Sequence, residues 1–157
     1  MSLLSLSPCL VERLKLRCPS VNGKVFSTAD LSGVQEAAQA APALHVVLWD
    51  YAPVEVLPGR ADIRWRETWL VVAVVKNAAR KDRAGAQIEA GDPLVAEVLD
   101  ALAGWRPEAR IIQGALKAIP GPRPVCTDTH AYFPLAFEAN VVTRDQRTDV
   151  RCQETAL

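Results

Sequence analysis

The sequence predicts an α+β fold, with a mixed, mainly antiparallel sheet of about four strands flanked by helices, and three observations carry that expectation. Two stretches, 44–51 and 62–76, are rich in β-branched and aromatic residues and are joined by a run containing proline and glycine, as in a long hairpin. A third stretch, 130–142, alternates, with Phe133, Leu135, Phe137 and Val141 on one face and His130, Tyr132, Glu138 and Asn140 on the other. The remaining apolar residues recur at helical spacing in separate segments, and helices set apart from antiparallel strands define the α+β class.

Ser7 before Pro8 has the form of an N-cap followed by proline at the first helical position, and Leu10, Val11 and Leu14 continue the helix to Cys18-Pro19, predicting 8–17. Asn22-Gly23 marks a turn beside a short extended stretch, 21–26. Ser27 or Thr28 is then expected to cap a second helix through Leu31, Val34, Ala37 and Ala38, which Pro42 ends. The strand at 44–51 is apolar on both faces, as expected for a strand inside a sheet, and 52–61 reads as a loop. In 62–76, Ile63, Trp65 and Trp69 share one face and Arg64, Arg66 and Thr68 the other, while Leu70 to Val75 is apolar on both. Glu67 falls on the apolar face without a reason visible in the pattern.

A polar connection follows, and Asp92-Pro93 reads as a helix restart, with Asp92 the cap. Leu94, Val95, Val98, Leu99 and Leu102 form its stripe, which predicts a core position for Leu99, and Gly104 supplies the stop. A short strand at 115–119, a proline-rich turn at 120–124 and the strand at 130–142 complete the order. Pro134 predicts an edge or a bulge there, and 144–157 reads as a polar, flexible tail. No repeat or break in composition divides the chain, so residues 1–157 are expected to form a single domain.

With 157 residues, half of them apolar, the chain can bury a core without a disulfide or a metal. Eighteen basic residues balance eighteen acidic ones, so the global charge that grips nucleic acid or an anionic membrane is missing, and no specific nucleic-acid binding is expected. The start MSLLSLSPCL has no basic residue before its leucines and is interrupted by Pro8, unlike a secretory or transit signal. Its longest apolar run, Trp69 to Val75, falls far short of the roughly 20 residues of a membrane helix. Together these place the chain in the cytoplasm, where Cys9, Cys18, Cys126 and Cys152 are expected as reduced thiols. Their spacing contains no CxxC and matches no zinc site.

Catalytic chemistry has little to work with. His45 lies inside an apolar strand, and the cluster Cys126, Asp128, His130 is the one place where a small cytoplasmic hydrolase could assemble a nucleophile and a base. No phosphate-binding glycine signature occurs, and no cofactor is expected. The strongest local charge feature is basic: Arg60, Arg64 and Arg66 on the hairpin and Arg80, Lys81 and Arg83 in the following loop. Arginines beside tryptophans are the residue types enriched at protein interfaces, so these six are the candidate assembly interface.

Several stretches taken in order resemble the tail-terminator-like proteins of Mu-like phages and prophages: Ala43-Leu-His-Val-Val-Leu-Trp49, the strand Arg66 to Lys76-Asn77, the helix Asp92-Pro93 to Gly104-Trp105, and Tyr132-Phe-Pro-Leu-Ala-Phe137. The resemblance spans about residues 8–143. It implies a non-enzymatic virion-assembly protein, made in the host bacterial cytoplasm and carried in the virion tail. Such a protein forms a ring of its own copies, commonly a hexamer, that caps the tail tube and helps join it to the head. Its implied partners are itself, the tail-tube protein and a head-tail joining protein. Another head-tail joining or tail-completion protein is the nearest alternative, with the Cys126/Asp128/His130 hydrolase behind it.

Overall fold

The computed structural model of the protein describes residues 6–36, 40–56, 63–76, 84–107 and 112–143, with backbone alone at 36 and 84–88. The elements in chain order are α1 (Leu6–Arg17), a 3-10 turn (Pro19–Val21), β1 (Val25–Ser27), α2 (Leu31–Glu36), β2 (Ala43–Val56), β3 (Ile63–Lys76), α3 (Ala84–Leu102), β4 (Ile112–Ile119), β5 (Val125–Cys126) and β6 (His130–Thr143). Among the described residues the sheet has six strands in the order β1-β2-β3-β6-β4, with β5 also on β6. Only β1 with β2 is parallel. The expected α+β class is borne out, with two strands more than the sequence suggested.

Strand β3 occupies the middle because it is apolar on both faces, and it pairs along its whole length with β6 and over most of it with β2. On one face, Leu10 and Leu14 of α1 and Leu94, Val98 and Leu102 of α3 close over Leu44, Val46, Val71 and Phe137. On the other, Val34 of α2 packs with Val47, Leu70, Val72, Val74 and Tyr132. A sheet covered on both sides explains the unbroken apolar run Leu70 to Val75. It also corrects one expectation for β6: Tyr132 is buried in the second cluster instead of facing water, whereas Asn140 is exposed as expected. Arg13 ties the two large helices together, since its Nε donates to the Ala101 carbonyl at 3.0 Å and its guanidinium lies 5.1 Å from the Trp105 ring centroid.

Other differences from the sequence reading have local causes. The described part of α1 already includes Leu6, so Ser7 lies in the helix instead of capping it, and its hydroxyl sits 3.2 Å from that of Ser27. Neither Ser27 nor Thr28 caps α2. Asp30 does, accepting the Gly33 N–H at 2.8 Å, because Ser27 belongs to β1 and the Thr28 hydroxyl is engaged with His45. Residues 37 and 38 lie outside the described residues.

Instead of restarting at Asp92-Pro93, α3 runs through them as one helix. Proline removes one internal hydrogen bond, and the buried stripe Leu94, Val98 and Leu102 that follows it offsets the loss. Immediately before it, Gly91 is buried against Phe133, and a Cβ built there would collide with that ring. The stripe itself is rotated slightly from expectation: Leu94, Val98, Ala101 and Leu102 are buried, and Leu99 is 36% exposed. Gly104 ends the helix at a positive φ of 75°, as expected, and its N–H donates to Leu116 at 2.9 Å.

Strand β2 continues to Val56 where a loop was expected from 52. Among the described residues its outer edge has no strand beyond β1, so Pro53 costs no ladder hydrogen bond on that side. Register shifts at Leu48/Asp50 and Pro53/Glu55 absorb the irregular sequence. Likewise β4 begins at Ile112, before the expected 115, because Gly114, Ala115 and Leu116 bulge opposite Ala139 and turn Leu116 into the core. Pro134 lies in an interior strand, not at an edge of the sheet. On the side away from β3, however, the β4 ladder stops at Ala136 and the β5 ladder starts at Tyr132, so Pro134 falls in the gap between them. The tail, 144–157, lies outside the described residues.

Candidate assembly interface

Among the described residues, the titratable side chains of His45, Glu67 and Cys18 are fully buried. His45 is held on β2 with its Nδ1 2.9 Å from the Thr28 hydroxyl and its ring 5.3 Å from that of Phe26. Burial lowers its pKa, so the ring is held neutral, and its Nε2 has no hydrogen-bond partner. Glu67 sits among the apolar side chains of β3. Trp69 Nε1 donates to its Oε2 at 2.8 Å, while Oε1 is buried and unpartnered. Burial raises the Glu67 pKa, and the Trp69 hydrogen bond offsets part of that rise. This gives the residue a structural role as the acceptor for a buried indole, which the sequence left unexplained.

The trio that could have served a hydrolase does not converge. Cys126 is exposed at the end of β5, and Asp128 is exposed within the tight turn that leads to β6. The imidazole of His130 meets the Thr129 hydroxyl at 2.8 Å, and no hydrogen bond joins it to Cys126. Thr127 organises this turn, its hydroxyl accepting the His130 N–H at 3.0 Å. Cys9, Cys18 and Cys126 carry no disulfide, and burial together with the Glu97 charge pushes the Cys18 thiol up to about 11, leaving it an inert packing residue. Cys152 lies outside the described residues. Among those residues no group of three or more His, Cys, Asp or Glu side chains could hold a metal, and no helix is long and apolar enough to cross a membrane.

Surfaces remain. Arg64 and Arg66 share the sheet face opposite α1 and α3, at register positions facing Val142 and Asn140 of β6. Arg64 is committed within the hairpin by an ion pair to Glu55 at 3.3 Å, whereas Arg66 is exposed and has no ion pair among the described residues. Arg60, Arg80, Lys81 and Arg83 lie outside the described residues. Lys76, the last residue of β3, is ten residues beyond Arg66, which at the extended rise is roughly 33 Å along the strand. Arg64 and Arg66 therefore stand near the opposite end of β3 from Lys76.

The surface that the sequence did not reveal is apolar: Trp49, Tyr51, Val54 and Val56, all on the outer half of β2, are at least half exposed. The reading of 44–51 as a strand inside the sheet hid Trp49 and Tyr51, the reading of 52–61 as loop hid Val54 and Val56, and the register shifts that keep this segment in the strand have no sequence signature as plain as Asn-Gly or Pro-Gly.

Among the described residues this α+β subunit presents candidate contact surfaces, and the fold alone does not say for what. Comparison with known families makes this specific. The family model described as phage tail terminator protein matches residues 1–148, and the chain belongs to that family, whose members are structural parts of the virion. Among solved structures, the fold resembles a chain of the "Virion of native gene transfer agent (GTA) particle", with a TM-score of 0.55 over 85% of this chain and 92% of that one at 16% identity, a likeness of fold alone. Comparison with curated proteins finds no match.

Proposed function

We propose that the chain acts as a ring of identical subunits, a hexamer of the kind found in Mu-like phages and prophages, that caps the head-proximal end of the tail tube. The ring stops tube polymerisation and presents a surface to the head-tail joining protein. It assembles in the host bacterial cytoplasm and stays in the virion tail, with residues 1–157 acting as a single domain. The observation that carries this reading is the family match over residues 1–148. Physically, a heterologous contact repeated about a rotation axis closes into a ring, and each subunit then needs two complementary patches instead of a pocket. The balanced formal charge suits patches of mixed sign.

Arg60, Arg64, Arg66, Arg80, Lys81 and Arg83 are proposed to contact a neighbouring subunit or the tail tube. Arg66→Glu is the cleaner probe, because Arg64→Glu would set a second carboxylate against Glu55 inside the hairpin. Like charges brought together at an interface cost several kcal/mol. In a complementation assay, Arg66→Glu is expected to keep its circular-dichroism spectrum and to yield tails of uncontrolled length that fail to join heads. Normal-length tails on heads would show that this arginine is only a solvated residue.

A further inference from the structure

The two faces of the sheet are covered unequally. Helices α1 and α3, 12 and 19 residues long, close one face, whereas the described cover of the other is α2, six residues that bring Leu31 and Val34 onto Val47, Leu70, Val72 and Val74. A helix this short has little stability of its own and depends on what holds it. The chain entering it is fixed at Thr28, whose N–H donates to the Val46 carbonyl at 2.9 Å and whose hydroxyl lies 2.9 Å from Nδ1 of His45. His45 stands in register between Phe26 of β1 and Val72 of β3, with none of its surface exposed.

That hold suits only a neutral ring. With one proton, the imidazole shares a hydrogen bond with the Thr28 hydroxyl through Nδ1, and Nε2 is left without a partner. A second proton makes both nitrogens donors and puts a charge inside the sheet, where Nε2 has nothing to donate to. Among the described residues no charged side chain compensates. The ring meets Phe26 from β1 and stands opposite Val72 of β3, and α2 brings only Leu31 and Val34 to this cluster. The charged residues flanking these elements are Lys24 before β1, Asp50 further along β2, Lys76 at the end of β3, and Asp30, which is exposed with its carboxylate on the Gly33 N–H. None of them shifts the ring, whose pKa burial alone lowers. Water reaches the imidazole most cheaply if Thr28 and α2 move, because Val25 of β1 is anchored in the main core. We infer that residues 28–36 are an acid-released cover: a proton taken up by His45 frees Thr28, and α2 comes away from Val47, Leu70, Val72 and Val74 while the rest of the fold stays in place.

Amide hydrogen exchange of the purified full chain at pH 7.5 and pH 5.5, with each rate divided by its intrinsic value, tests this. Between those conditions an imidazole with the ordinary pKa of 6.5 goes from about one-eleventh to about ten-elevenths protonated once it is open to water. Opening of 28–36, read at Thr28, Gly33 and Val34, should therefore rise several-fold and at most about tenfold on acidification. Residues 69–75 of β3 should show no such rise. His45→Asn keeps a polar atom for the Thr28 hydroxyl and cannot take up a proton, so the rise should vanish whatever the variant's overall stability. Thr28→Val keeps the imidazole and removes its partner, and 28–36 should then open more readily at both pH values. A rise below about twofold in the native chain overturns the acid-released cover, and so does an equal rise in 69–75. A rise that persists in His45→Asn, or unchanged protection of 28–36 in Thr28→Val, does the same.

Discussion

Leu102→Ala is expected to cost about 2–5 kcal/mol of folding stability, the range for emptying a well-packed leucine site. Leu102 is fully buried at the end of α3, within the cluster that also holds Leu10, Leu14 and Phe137. The neighbouring Ala101 backbone carbonyl is held by Arg13, so the site has little freedom to collapse around a cavity. Leu99 provides the internal control. It belongs to the same sequence stripe but is 36% exposed, and Leu99→Ala should cost about 1 kcal/mol or less. Urea denaturation with an unchanged slope measures both losses. Equal losses would mean that α3 is rotated from the orientation described here.

Glu67→Gln is expected to flatten the dependence of stability on pH. The folded pKa of Glu67 lies above its ordinary value of 4.5 because burial disfavours the charged form, with the Trp69 hydrogen bond a smaller opposing effect. Below the ordinary value the carboxyl is protonated whether the chain is folded or not, and its contribution to stability is intact. As pH rises from there through the raised folded value, the native state holds a proton that the unfolded chain has released, so stability falls. Each unit by which burial raises the folded value is worth about 1.4 kcal/mol once the pH is above both. Glutamine keeps an acceptor for the indole of Trp69 and cannot ionise. The variant should therefore match the native protein near pH 4 and exceed it in stability by pH 8, measured by denaturant titration across that range. Parallel profiles would show that Glu67 reaches water or a countercharge in the folded chain.

Much of this fold is legible in the sequence, and what is not has identifiable causes. The run Leu70 to Val75 announces the central strand because no residue in it tolerates water on either face. Leu94, Val98 and Leu102 announce α3 by spacing alone, and Gly104 marks its end. Pro93 misleads because proline after aspartate resembles a helix start. Only the continuous backbone shows that Gly91 has been drawn against Phe133, a contact 42 positions away in sequence (133 − 91). Thr28 misleads in the same way, since a hydroxyl placed well for capping is diverted to His45 on a strand that follows it in the chain. As for the candidate interface, residue type pointed to the hairpin through Arg64 and Arg66. Its apolar face was missed because register shifts at Leu48/Asp50 and Pro53/Glu55 are properties of the pairing and not of the residues.

Membership of the phage tail terminator protein family is the centre of this account, and the length of tails made without the chain tests it most directly. Electron micrographs of particles from a host in which only this coding sequence is deleted should show tubes of widely varying, excessive length, without heads, and supplying the chain from a plasmid should restore one length and head joining. Tails of uniform normal length attached to heads in the deletion strain would contradict a terminating role.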